Sequence, residues 1–169
     1  MPGKLDFRRT AASGFAPMVR GLAAILACVP LALPAAPGAL PAASDLAQDK
    51  AAMRSRQVPM VVLFSQADCS YCDTARRYLV PMSAANEHVL FRQIDIDSGA
   101  ALVDFSGRRS THREVAAAQG VRFAPTVRFF DADGRALGED IVGIGVEDFY
   151  GLYVDDALAA ARRRMGAPD

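Results

Sequence analysis

The chain has no tryptophan, three cysteines and two histidines in 169 residues, and no excess charge, since 19 basic side chains meet 19 acidic ones. Balanced charge leaves no electrostatic footprint for nucleic acid, so no nucleic-acid partner is expected. There is no Gly-x-Gly-x-x-Gly and no loop ending in Gly-Lys-Ser/Thr, so nucleotide phosphates have no cradle. The length excludes a two-domain cofactor enzyme and fits one domain with a tail. An apolar fraction of 51% excludes a wholly disordered chain.

The neutral average hides two unlike pieces. Residues 1–43 carry Lys4, Arg8, Arg9 and Arg20 against Asp6, a net of +3, and six of the ten prolines. The remainder, 44–169, carries 15 basic and 18 acidic side chains, a net of −3. Basic residues precede the apolar run Gly21 to Leu33, and small, proline-rich residues follow it to Ala43. That is the order of a secretory signal. A membrane-spanning helix needs about 20 apolar residues in one run, and Pro30, Pro34 and Pro37 interrupt this one. We therefore expect an export segment over 1–43, a folded domain over 44–169 and a periplasmic location. Cys28 lies in the export segment, and Ile25-Leu26-Ala27 before it loosely resembles a lipoprotein box, which leaves a lipid anchor at Cys28 open beside simple removal. The domain keeps one pair, Cys69 and Cys72, and no orphan thiol.

Ser44 to Gln57 reads as a helix capped by Ser44. Pro59 to Phe64 is a short, continuous apolar run, which fits a strand buried on both faces. Cys69 to about Ala85 reads helical, with Pro81 predicting a kink or a stop near Val80. His88 to Ile96 is the next strand. Ser98 to Ser110 is expected as a surface loop. Thr111-His112-Arg113-Glu114 matches a capping box, with His112 expected to face solvent, and Gly120 suits the far end of a short helix. Val121 to Phe130 is a strand interrupted by Pro125. Asp133-Gly134 marks a turn before a strand at Ile141 to Ile144. Glu147 to Arg164 closes the chain as an amphipathic helix, with Phe149, Leu152, Tyr153 and Leu158 as its expected inner face.

Cys69-Ser70-Tyr71-Cys72 falls where a buried strand hands over to a helix. A helix start presents unpaired N–H groups and the positive pole of the macrodipole. Both favour a thiolate, so Cys69 is the expected nucleophile. One helical turn brings the second sulfur within bonding reach, and Cys72 can then resolve a mixed disulfide. A structural disulfide is the plainer reading of the pair, but a bridge closing so short a loop constrains the unfolded chain little. Cys69 and Cys72 with His88 and His112 lack the spacing of a zinc site, so no metal is expected.

On these residues the chain resembles the thioredoxin superfamily over roughly Pro59 to Arg164. The match rests on Val61-Val62-Leu63-Phe64, Cys69-Ser70-Tyr71-Cys72, Ala124-Pro125-Thr126 and Gly143 before the last helix. The resemblance implies an α/β fold, a thioredoxin-like central mixed β-sheet flanked by helices. It implies a cis Pro125 beside the two sulfurs, with Ala124 offering backbone groups to an extended substrate. Thr126 shapes the same edge, and Tyr71 looks like the dipeptide of exported disulfide-handling proteins. It further implies a thiol–disulfide oxidoreductase, reductant or isomerase-like, acting on exported proteins, with no prosthetic group and a membrane electron donor to recharge it. The departures are definite. Asp68 stands where thioredoxins carry a tryptophan, and Leu63 where they carry a buried acid. A carboxylate beside Cys69 opposes its thiolate. From another functional class, a thioredoxin-fold peptide clamp or adaptor with a merely structural disulfide remains the alternative.

Overall fold

Six successive residues with no charge among them, Met60–Ser65, form a strand buried at every position. Burial on both faces requires helices above and below, and the described residues supply four. In chain order the elements are α1 (Leu46–Arg56), β1 (Met60–Ser65), α2 (Ser70–Ala85), β2 (Leu90–Asp95), β3 (Ala101–Val103), β4 (Arg109–Thr111), α3 (His112–Ala118), β5 (Thr126–Phe130), β6 (Ile141–Val142) and α4 (Tyr150–Arg164). This computed structural model describes residues 38–166. The basic and apolar stretches of the expected export segment, with Cys28, lie outside the described residues.

The main sheet runs in the order β2-β1-β5-β6. β1 pairs parallel with β2, Met60 facing Leu90 and Ser65 facing Asp95. It pairs antiparallel with β5, Met60 facing Phe130 and Phe64 facing Thr126. The period of two then sorts side chains between layers. Val61, Leu63, Val127 and Phe129 meet α2 and α4 through Leu79, Tyr150, Val154 and Leu158. Met60, Val62, Phe64 and Phe130 meet α1 and α3 through Leu46, Met53, Val115 and Ala116. Each such aliphatic or aromatic side chain contributes about 1.5–3 kcal/mol by leaving water. The result is a mixed sheet between two helical layers, as the family resemblance implied.

Several details differ from the sequence reading. The cap of α1 is Asp45, whose carboxylate accepts from the Gln48 N–H at 2.8 Å, not Ser44. The packed body extends back to Leu40, which is buried along with Ala43. Pro41 and Ala43 bond the outer edge of β2 through Gln93, at 2.8 and 2.9 Å. Helix α2 continues through Pro81 to Ala85 without a stop. The stretch 98–110 is not a plain loop: it holds strand β3 and most of β4, an antiparallel pair. Asp104 ties their turn by accepting the N–H groups of Ser106 and Arg108 at 2.8 and 3.0 Å.

His112 begins α3 as the capping box predicts, but it is buried, not solvent-facing. Its Nδ1 accepts the Asp95 N–H at 3.0 Å, so Nε2 carries the proton and donates to the Ala43 carbonyl at 2.9 Å. One ring thus holds the 40–43 segment to the end of β2. The inner face of α4 is Tyr150, Val154, Leu158 and Ala161, while Phe149, Leu152 and Tyr153 are exposed. Phe149 belongs to a separate 3₁₀ turn, Glu147–Phe149, so the helical period restarts at Tyr150. Leu152 and Tyr153 then fall on the outer face.

Candidate functional site

Strand β1 ends at Ser65, and a polar turn, Gln66 to Asp68, carries the chain to the front of α2. Asp68 sits at φ 51°, in the left-handed region that Asp tolerates better than most residues. Cys69 is extended, with φ −112° and ψ 99°, and caps a helix of 16 residues. Its Sγ accepts the Cys72 N–H at 3.1 Å. The capping position usually filled by a Ser or Asp oxygen is here filled by sulfur. Cys69 and Cys72 are joined in a disulfide with Cα atoms 5.2 Å apart. Cys69 is half-buried and Cys72 fully buried. An incoming sulfur therefore reaches Cys69 first.

The Phe64–Thr126 register brings the start of β5 to the same end of the sheet. There the Ala124–Pro125 peptide is cis. The Pro125 carbonyl accepts the N–H of Gly143, at 2.8 Å. Gly143 lies at φ 73°, a conformation that excludes most side chains, which gives the glycine singled out in the sequence its structural reason. Thr126 is buried, and its hydroxyl donates to the Phe123 carbonyl at 2.9 Å. Its side chain is turned inward beneath the edge. Ala124 is half-buried, and Tyr71 stands out from α2 at 67% exposure. All six residues singled out in the sequence, Cys69, Cys72, Tyr71, Ala124, Pro125 and Thr126, thus belong to one end of the sheet.

Two features escaped the sequence reading. Phe123, in the loop before the cis-proline edge, is exposed at 70%, with Val142 of β6 at 58% and Val146, in the loop after β6, at 54%. An aromatic residue two positions before Pro125 was the visible signal. The second is a polar network behind the Gln66–Asp68 turn. Arg76 donates to the Ser65 hydroxyl at 2.6 Å, to the Gln93 side-chain oxygen at 3.0 Å and to Asp73 at 2.6 Å. Arg76 follows Cys72 by one helical turn, and its charge is met there by Asp73. Leu63 is fully buried in the strand. No carboxylate occupies its place to take a proton from Cys72.

A family model described as thioredoxin-like domain matches residues 46–146. The chain belongs to this thioredoxin-like domain family. The match runs from the first residue of α1 through the disulfide and the cis-proline edge and stops before α4. Among solved structures, the chain is similar to thioredoxin of Fasciola hepatica, with TM-score 0.51 and 16% identity, covering 71% of this chain and 97% of that one. It is also similar to mitochondrial thioredoxin 3 of Saccharomyces cerevisiae in its oxidised form, with TM-score 0.50 and 17% identity, covering 71% and 93%. At such identities the likeness concerns the fold. No curated protein matches the chain. A thioredoxin-like fold bearing a Cys-x-x-Cys disulfide supports thiol–disulfide oxidoreductase chemistry at the general level.

Proposed function

We propose that this thioredoxin-like protein is an exported thiol–disulfide oxidoreductase, a reductant or isomerase-like helper of other exported proteins. The observation that carries the reading is the asymmetry of the pair. Cys69 is half-exposed at the start of a 16-residue helix, and Cys72 is buried one turn behind it. In the reduced protein the Cys69 thiolate attacks a substrate disulfide. One substrate sulfur leaves as a thiolate and takes up a proton, and a mixed disulfide forms through Cys69. Cys72 loses its proton and attacks the Cys69 sulfur, releasing the second substrate thiol. Two electrons pass to the substrate, and the protein is left as the Cys69–Cys72 disulfide.

Ala124 is suited to binding an extended substrate, because its N–H and carbonyl make no hydrogen bond within the described residues. Export rests on the basic-apolar-small order of residues 1–43. In an oxidising compartment the disulfide needs a source of electrons, and a membrane dithiol donor fills that role. The test is reduction of insulin by the protein with dithiothreitol as electron source. Activity is expected for the unaltered chain and none above background for Cys69→Ser. Equal activity in the two would leave only the peptide-clamp reading. The reduction potential then sets the direction of flow: a value near about −270 mV marks a reductant and one near about −120 mV an oxidant.

A further inference from the structure

The far end of the sheet carries a second concave feature. A cavity of about 680 Å³ opens where β1 begins, between the last turns of α1 and α4. That volume falls in the range of small-molecule sites, roughly 300–1,000 Å³. It is separate from the disulfide, since β1 runs away from it for six residues, about 20 Å, before the turn to Cys69. The floor is apolar, formed by Met53, Val58 and Pro59, all buried, with Ala132.

The rim is cationic, formed by Arg54, Arg56 and Arg162. Arg54 is spent on Asp133, at 2.6 Å. Arg56 donates to the backbone carbonyl of Glu87, a neutral acceptor that leaves its charge uncompensated. Arg162 is half-buried and has no carboxylate partner among the described residues. The carbonyl ends of α1 and α4 oppose these charges with about half a negative charge each. Two uncompensated guanidinium groups still leave the cavity net positive by about one charge. His88 adds a polar edge.

We propose that this cavity binds a small organic monocarboxylate with an apolar body, the carboxylate on Arg162 and Arg56 and the body on the Met53–Val58–Pro59 floor. A guanidinium fork matches a carboxylate in plane and in charge. The inference is independent of the redox chemistry at the opposite end.

The test is a titration of the full-length, isotopically labelled protein with octanoate, followed by amide chemical shifts. Saturable shifts are expected at Val58, Ala132 and Gly166, and none at Tyr71 or Phe123. Octylamine, of the same length and opposite charge, is expected to give no saturable shift at those amides. Arg162→Glu is expected to weaken octanoate by at least about tenfold while leaving insulin reduction unchanged. Arg56→Gln gives the same reading should the first variant fail to fold. No saturable shift at millimolar octanoate, equal binding of octylamine, or unchanged affinity in a folded variant would each overturn the proposal.

Discussion

Replacing Cys72 by Ser isolates the sulfur on which the proposed chemistry depends. In the structure the Cys69 Sγ accepts one backbone N–H at 3.1 Å and stands at the front of a 16-residue helix. A hydrogen bond to a charged acceptor is worth about 1.5–3 kcal/mol, and sulfur belongs at the low end of that range. The helix pole adds about 0.3–1 kcal/mol. Asp68, an exposed like charge beside it, removes up to about 1 kcal/mol. About 1–2 kcal/mol therefore remains in favour of the thiolate, a factor of roughly five to thirty in its ratio to the thiol. An ordinary cysteine is a few per cent ionised at pH 7. Cys69 in the Cys72→Ser protein is then about a tenth to a half ionised at the same pH. Thiolate absorbance in the ultraviolet, read in a chain that also carries Cys28→Ser before and after unfolding in urea, measures the difference directly. A folded protein with no more thiolate than its unfolded form would refute the reasoning. Asp68→Asn should raise the folded value further, since it removes the carboxylate next to Cys69 in the chain.

Three predictions concern the scaffold. The Tyr150 hydroxyl is buried with no hydrogen-bond partner among the described residues, and burial pushes its pKa up to about 12. Tyr150→Phe should therefore leave stability unchanged or raise it by up to about 1 kcal/mol in urea unfolding; a clear loss would reveal a partner for the hydroxyl. His112→Ala strips partners from the Asp95 N–H and the Ala43 carbonyl. It should cost about 2–4 kcal/mol and speed hydrogen exchange at Ala43 and Gln93, and unchanged exchange there would show that the ring does not hold the 40–43 segment. Asp104 titrates at about 2, below its ordinary 3.8, chiefly through the Ser106 hydroxyl and then the Arg108 N–H. A carboxylate with a lowered folded pKa stabilises above its unfolded value, and that stabilisation is lost as pH falls. The urea midpoint should fall between about pH 4 and pH 2, and less steeply in Asp104→Asn; parallel curves would contradict the assignment.

The parts of this molecule legible in the sequence are those where one strong local signal met no competitor. β1 was visible because every residue in it is apolar or small, which only a central strand tolerates. The site was visible because the Cys-x-x-Cys motif, the strand before it and Ala124-Pro125-Thr126 recur together in one family. The inner face of α4 misled because apolar residues stand on both sides of the helix, Tyr150 and Val154 inside and Leu152 and Tyr153 outside. The β3–β4 hairpin was hidden because strands of three residues are too short to show alternation. His112 looked exposed because helix starts usually are, and nothing local announces a bond to residue 43, far away in sequence. The cationic cavity was equally invisible, since Arg56 and Arg162 meet only through the fold.

The central claim is that Cys69 is the sulfur that meets the substrate. Mass spectrometry of the Cys72→Ser and Cys69→Ser chains, each also carrying Cys28→Ser and mixed with a disulfide-bonded peptide, tests it most directly. Cys72→Ser should accumulate a one-to-one adduct mapped to Cys69, while Cys69→Ser, whose remaining sulfur is buried, should stay free. An adduct on Cys72, or none on either chain, would contradict the account.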